Sequence, residues 1–103
     1  MLKAYISGKI TGDDNYLNKF KQAEQYLTKL EFTVINPASA LILFPKDTKY
    51  VDYICNSLRF LDTCDCIYML KDWRESHGAK IEHEYALANG MSIIYELEGA
   101  TYE

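Results

Sequence analysis

Glu82 stands at a position of the sequence where an apolar residue is expected. The stretch from Trp73 to Gly90 has the pattern of a loop that becomes a helix. At about 100° per residue, the apolar and small side chains of that helix share one arc, and Glu82 falls in its middle. Lys80, His83 and Glu84 are predicted to point the other way, into solvent. A carboxylate turned inward is costly unless it has partners or a chemical task.

The predicted position of Glu82 along the helix indicates what that task would be. We place Glu82 in the first turn, where the helix dipole and the free backbone amides favour an ionised carboxylate. An ionised carboxylate suits a nucleophile better than an acid. Carboxylate nucleophiles attack anomeric carbons and form covalent glycosyl esters. The alternative is structural: Glu82 lies at the rim of the buried face, where it caps a loop or pairs with a cation.

Three further residues are candidates for the same site. Tyr5, on the first predicted strand, either orients Glu82 or touches a sugar. Trp73 either stacks on a base or only packs. Ser57 faces inward from the middle of the second long helix, where most serines bond to the preceding helical turn. Each candidate therefore keeps a functional and a structural interpretation.

The elements that must position these residues alternate along the chain. The predicted strands are Leu2–Ser7, Phe32–Ile35, Cys66–Leu70 and Ser92–Tyr95, and the predicted helices are Tyr16–Leu30, Lys49–Leu61 and the helix that carries Glu82. This order predicts an α/β fold: a small, doubly wound parallel sheet of four to five strands, Rossmann-like or flavodoxin-like, with helices on both faces. The length predicts a single domain over residues 1–103.

Parallel strands bring the loops at their carboxyl ends to one rim of the sheet. The segments Gly8–Gly12 and Trp73–Gly78 should therefore face each other across a pocket with Glu82 at its floor. The first loop lacks both GxxxxGK[ST] and GxGxxG, so neither a P-loop nor a dinucleotide site is predicted. Turn geometry and a ligand role explain its glycines equally well. The apolar patch Leu41–Phe44 either covers the core or caps a ligand.

The composition limits the partners. A net charge of −4 argues against binding duplex nucleic acid but leaves room for a small anionic ligand. Three cysteines without a disulfide framework indicate a reducing cytosol, and the histidines lack a metal-binding spacing, so we expect no metal or other cofactor. No apolar run approaches a membrane span and no signal peptide is visible, which predicts a cytoplasmic protein. The acidic tail Glu98–Glu103 is predicted to be mobile or engaged with another subunit.

Several motifs together resemble those of a known group of proteins. They are Tyr5-Ile6-Ser7-Gly8, Asn36-Pro37-Ala38, Cys64-Asp65 and Trp73-x-x-Ser76-x-Gly78-Ala79-x-x-Glu82-x-x-x-Ala86-x-x-x-Gly90. This set resembles a small phage and bacterial domain family of unknown function. That family is similar to the nucleoside 2-deoxyribosyltransferases and to the deoxynucleoside 5′-monophosphate N-glycosidases. The resemblance covers almost the whole chain.

The resemblance implies roles for particular residues. It implies that Glu82 is the nucleophile and that Tyr5 positions it. It implies that Ser7, Gly8 and the following loop contact sugar or phosphate. The remaining substrate-binding candidates that we take from this comparison are Lys9, Gly12, Ser57, Trp73, Ser76 and Gly78. It also implies a homodimer or higher homo-oligomer in which a neighbour completes the site.

Two departures from the transferase pattern concern the residue that would protonate the leaving base. Ser57 and Ser76 stand where the transferases carry aspartates, and serine cannot protonate a leaving base as an aspartic acid can. Asp62, Asp65 or Asp72 would have to supply an acid instead. The leading interpretation is an N-glycosidase or 2-deoxyribosyltransferase-like enzyme acting on a nucleoside or nucleotide. The alternatives are a nucleotide-binding module without turnover, and a structural or interaction domain.

Overall fold

A computed structural model describes residues 1–96 of the protein. The predicted acidic tail, Glu98–Glu103, lies outside the described residues. Within the described residues no helix is both long enough and apolar enough to cross a membrane.

The centre of the fold is a sheet of four parallel strands. They are β1 (Lys3–Ser7), β2 (Thr33–Ile35), β3 (Cys66–Met69) and β4 (Ser92–Tyr95). The strand order is β2-β1-β3-β4, so β1 and β3 are central. All four residues of β3 are buried, as its continuous apolar run predicts for a strand covered on both faces. The carboxylate of Asp65 accepts a hydrogen bond of 2.8 Å from the Lys3 backbone N–H and ties the starts of the two central strands together.

Helices cover both faces of this sheet. They are α1 (Tyr16–Lys29), α2 (Pro37–Ala40), α3 (Tyr50–Asp62) and α4 (His77–Ala88), with 3-10 turns at Leu41–Leu43 and Trp73–Glu75. Phe20, Ala23 and Leu27 of α1 pack on one face. Leu61 of α3 and Ala79 and Ala86 of α4 pack on the other. The predicted α/β fold with helices on both faces is therefore confirmed.

Strand alternation decides which β1 side chains meet α4. Ala4 and Ile6 belong to the core on the α1 side, and Tyr5 belongs to the core on the α4 side. Because successive side chains point to opposite faces, Ser7 shares the face of Tyr5. Both side chains are fully buried at the carboxyl end of a central strand. This is the edge at which open parallel sheets bind ligands.

The face of α3 differs from the predicted packing. The apolar spacing of this segment predicts an inner face formed by six residues: Tyr50, Tyr53, Ile54, Leu58, Phe60 and Leu61. Only Leu61 is fully buried, whereas Tyr50 and Phe60 are exposed. The reason is that much of this face borders a cavity instead of the sheet. A stripe of apolar and aromatic residues cannot by itself distinguish a core from a cavity wall.

Gly8 directly follows β1 at a position with no room for a side chain. A Cβ there would lie 2.6 Å from Cδ1 and 2.8 Å from Cβ of Leu70, which is buried. We expect Gly8→Ala to lower the free energy of unfolding by about 1–3 kcal/mol, measured by urea denaturation. Gly12→Ala is the comparison, because no atom lies within 4 Å of its Cβ position, although its φ is +80°. It should cost about 1 kcal/mol from the left-handed backbone alone. If Gly8→Ala lowered the free energy of unfolding no more than Gly12→Ala does, steric exclusion by Leu70 would be contradicted.

Candidate active site

A cavity of about 440 Å³ opens at the carboxyl edge of the central strands. Gly8 and Thr11 line it from the loop after β1, and Ser76 and Gly78 line it from the N-cap and first turn of α4. The two loops that were predicted to face each other therefore share one cavity. Helix α3 closes a further side, and Leu41 and Phe44 of the apolar patch also reach it. Leu43, between these two residues, is exposed.

Glu82 lies at the floor of this cavity and is 7% exposed. Its Oε1 accepts a hydrogen bond of 2.6 Å from Oγ of Ser7. Its Oε2 accepts a short hydrogen bond from the hydroxyl of Tyr5. No ion pair to Glu82 is formed within residues 1–96. Two neutral hydroxyls from the adjacent strand thus hold the carboxylate, and no cation neutralises it.

The predicted place of Glu82 in the first helical turn is wrong. Ser76 is the N-cap, where its Oγ accepts the Ala79 N–H at 3.1 Å, and the helix begins at His77. Glu82 is therefore the sixth helical residue and lies beyond the free amides of the first turn. The expected preference for the ionised form is wrong as well. Burial raises the pKa of Glu82 to about 7, and the hydrogen bonds from Ser7 and Tyr5 only partly oppose this shift.

The hydroxyl of Tyr5 stays protonated beside this carboxylate. Burial raises the pKa of Tyr5 well above its usual value, and the charge of Glu82 raises it further. A hydrogen bond from the side chain of Ser57 lowers it again. The hydrogen bond from Tyr5 to Glu82 fixes the direction in which the Tyr5 proton points and helps to keep Glu82 in one orientation.

Four of the predicted substrate-binding residues do not line the cavity. Ser7 is buried, and its hydroxyl donates to Glu82. The backbone N–H of Lys9 donates to Asp72 at 3.1 Å, and its Nζ lies 3.8 Å from Glu75. Gly12 sits in a turn with nothing near its Cβ position. The ring of Trp73 stacks on His83, with 4.2 Å between centroids. The structure therefore does not bring Lys9, Gly12 or Trp73 to the cavity, whereas Gly8, Ser57, Ser76 and Gly78 line it.

The prediction that His83 points into solvent is wrong. His83 is 8% exposed and lies under the ring of Trp73. Its Nε2 lies 2.7 Å from the hydroxyl of Tyr95 at the end of β4. The physical reason is the 3-10 turn at Trp73–Glu75, which folds back over α4 and covers this face. The same turn explains why Trp73 packs against protein and not beside Glu82.

None of the three aspartates that were considered as acids lines the cavity. Asp62 accepts a hydrogen bond of 2.8 Å from the hydroxyl of Tyr85. Asp65 is held by Lys3, as described above. Asp72 binds the Lys9 backbone and lies 3.1 Å from Nζ of Lys19. Of the described residues that line the cavity, Glu82 alone carries a carboxylate.

Sequence reasoning missed several polar residues of the cavity wall. They are Tyr16, Tyr50, Tyr53 and Asn56. The spacing i, i+3, i+7 of Tyr50, Tyr53 and Ser57 places these three on one helical face, and it was the available signal. Aromatic side chains are also frequent in the wall, which suits a flat heterocyclic ligand. Within residues 1–96 no group of His, Cys, Asp and Glu side chains is arranged to hold a metal ion.

Comparisons with known proteins agree with this geometry at the level of fold. Residues 2–95 match DUF4406, described as a domain of unknown function. A 2-deoxyribosyltransferase from the psychrotolerant bacterium Bacillus psychrosaccharolyticus superposes with a TM-score of 0.73 at 17% identity, covering 90% of this chain and 70% of that one. A 2-deoxyribosyltransferase from Leishmania mexicana superposes with a TM-score of 0.69 at 17% identity, covering 92% of this chain and 63% of that one. No curated protein sequence matches significantly.

Proposed function

The chain belongs to the DUF4406 family, whose function is unknown, and we propose from its cavity that it cleaves the N-glycosidic bond of a nucleoside or nucleotide. One observation carries this proposal. A buried carboxylate without an ion-pair partner, held by two hydroxyls, lies at the floor of an open cavity. A carboxylate that only braced loops would be expected to pair with a cation or cap backbone amides. The shared fold with 2-deoxyribosyltransferases supports the same assignment.

In the proposed reaction, Glu82 attacks the anomeric carbon of the sugar. A Glu82 oxygen forms an ester bond to that carbon while the bond to the base nitrogen breaks. Water then attacks the same carbon and releases the free sugar in hydrolysis, or a second base attacks it in transfer. Tyr5 and Ser7 hold the two carboxylate oxygens, so Glu82 is oriented before the substrate arrives.

The raised pKa of Glu82 fits this chemistry in two ways. At neutral pH a pKa of about 7 leaves a substantial fraction ionised and ready to attack. A carboxylate that burial has deprived of water is also more reactive than a solvated one. The hydrogen bonds from Ser7 and Tyr5 keep the pKa from rising further. The cavity therefore makes the Glu82 carboxylate more reactive while it still leaves a substantial fraction ionised at neutral pH.

The test is base release from a panel of 2′-deoxynucleosides, their 5′-monophosphates and NAD, followed by chromatography. We expect release from at least one 2′-deoxynucleoside or its monophosphate. Rapid acid quenching followed by peptide mass analysis should find one deoxyribosyl group on the peptide that contains Glu82. Adding a second free base during the reaction separates transfer from hydrolysis. Release without any adduct on that peptide under quenching would count against the covalent route.

A nucleotide-binding module without turnover is the second candidate. It is favoured by one observation: no second carboxylate is present among the described residues of the cavity wall. In that case no compound of the panel would lose its base, whereas one of them would raise the melting temperature of the protein. The two candidates therefore differ in a single experiment.

We also propose that residues 1–103 form one domain that assembles into a homodimer or higher oligomer. Leu43 and Val51 expose apolar surface next in sequence to the cavity residues Phe44 and Tyr50, and a second copy would cover it. Light scattering on the purified protein measures the mass directly. A monomer at all concentrations used in the activity assay would refute the assembly without bearing on Glu82.

A further inference from the structure

The departing base needs a proton or a hydrogen bond, and the cavity offers few groups that can supply one. Among the described residues of its wall there is no Asp, Lys, Arg or His, and Glu82 is the nucleophile. The remaining polar side chains are hydroxyls and the amide of Asn56. Tyrosine is the hydroxyl residue that acts as a general acid, because its usual pKa near 10 is far below that of serine or threonine.

Four tyrosines line the cavity, and three of them have other roles. Tyr5 is bound to Glu82. Tyr16 packs against the core on the α1 side of the sheet. Tyr53 packs on Phe44, with 4.9 Å between ring centroids. Tyr50 is the fourth: it begins α3, its ring stacks on His77 with 6.0 Å between centroids, and its hydroxyl reaches the start of α4.

The hydroxyl of Tyr50 is directed toward the start of α4. A Cβ added to Gly78 would lie 3.3 Å from Oη of Tyr50 and 4.0 Å from Oγ of Ser76. The absence of a side chain at Gly78 thus lets the phenol group approach this helix. Tyr50 is 51% exposed, so its ring borders the route by which a base must leave. Burial raises the pKa of Tyr50, and the negative charge of Glu82 raises it further, so the carboxylate acts on this phenol group across the cavity.

We propose that Tyr50 is the residue that donates a proton to the departing base. This inference rests on the proposed function of Glu82. As the carbon–nitrogen bond breaks, its electron pair moves to the base nitrogen and the Tyr50 proton follows it. The products of this step are the Glu82 glycosyl ester, the neutral base and a Tyr50 phenolate. Water then gives its proton to the phenolate as it attacks the anomeric carbon, which restores both the Tyr50 hydroxyl and the Glu82 carboxylate.

The charges of the two residues make this order of events favourable. While Glu82 is ionised, its charge keeps the proton on Tyr50, so the donor is loaded before the reaction. Ester formation removes the charge of Glu82. The electrostatic cost of forming a phenolate therefore falls during the step in which the proton leaves. Hydrolysis of the ester restores the charge and favours reprotonation of Tyr50.

The test compares two substrates that differ in their need for a proton. The base of 2′-deoxyguanosine leaves poorly without protonation, whereas that of N7-methyl-2′-deoxyguanosine leaves as a neutral molecule without it. For Tyr50→Phe we expect kcat/KM to fall on the order of 10²-fold on the first substrate and less than about threefold on the second. If the panel shows a pyrimidine preference, thymidine and 5-trifluoromethyl-2′-deoxyuridine replace this pair.

Tyr85→Phe is the matched control, because it removes a tyrosine hydroxyl that bonds to Asp62 and does not line the cavity. It should change kcat/KM little, and by the same factor on both substrates. An equal loss on both substrates for Tyr50→Phe would indicate a structural role and would overturn the proposal, as would no loss on either. A wild-type protein that releases no base from any compound would instead refute the proposed function. The two failures are therefore distinguishable.

Discussion

Glu82→Gln should abolish base release, with a loss in kcat on the order of 10⁴-fold or more. The amide keeps the shape of the side chain but cannot form a stable ester with the anomeric carbon. Its oxygen can still accept one of the two hydroxyl hydrogen bonds, so the local packing should persist. The measurement is the single-turnover rate of base release together with the search for a sugar adduct on the Glu82 peptide.

Glu84→Gln is the matched control for this experiment. It makes the same chemical change two residues later on α4, at an exposed position that does not line the cavity. It should leave the rate within about twofold of wild type, since exposed substitutions away from a site have small effects. Circular dichroism should show both variants folded. A Glu82→Gln protein that keeps even a tenth of the wild-type rate would rule out Glu82 as the nucleophile.

The sequence was informative about the floor of the cavity because regular periodicity determines it. The phase of α4 turns Glu82 inward, and strand alternation turns Tyr5 and Ser7 toward the same face. Both follow from local geometry that a single sequence carries. The parallel order of the strands also predicts that the loop containing Gly8 and the loop containing Ser76 face each other. These inferences did not require knowledge of where any side chain finally packs.

The errors have a different origin, because each depends on tertiary packing or on one cap. Helix α4 begins at His77 with Ser76 as its cap, so Glu82 is the sixth helical residue and lies beyond the first turn. Burial decides the sign of the Glu82 pKa shift, and helical periodicity does not show how deeply a side chain is buried. His83 is buried beneath the ring of Trp73 by a 3-10 turn that the sequence did not indicate.

Tyr50 shows a third kind of limit. Its place on the inner face of α3 was predicted, yet the residue was assigned to the core and not to the site. Whether an inward aromatic side chain fills a core or borders a cavity depends on the distance between α3 and the sheet. That distance is set by the loop from Ala38 to Lys49 and by contacts far apart in sequence. A helical pattern therefore predicts the direction of a side chain better than its surroundings.

The burial of Glu82 should also be visible in the stability of the protein, without any substrate. In the unfolded chain its pKa is near the ordinary 4.5, and in the folded protein it is about 7. Between these values the folded state binds the proton more tightly, so the stabilising contribution of the protonated group is lost as pH rises. About 2.5 pKa units correspond to roughly 3 kcal/mol. The tyrosines near Glu82 titrate above this window and do not contribute to it.

We therefore expect wild type to lose roughly 3 kcal/mol of unfolding free energy relative to Glu82→Gln between about pH 4 and pH 8. Urea denaturation of both proteins at several pH values measures this difference, and the neutral amide removes the titration that causes it. Glu84→Gln should show no such trend, because Glu84 is exposed. A difference that is constant with pH would contradict the burial of a titrating carboxylate. If wild type instead became more stable than Glu82→Gln as the pH rises, the hydrogen bonds from Tyr5 and Ser7 would outweigh desolvation. Glu82 would then be held in its ionised form.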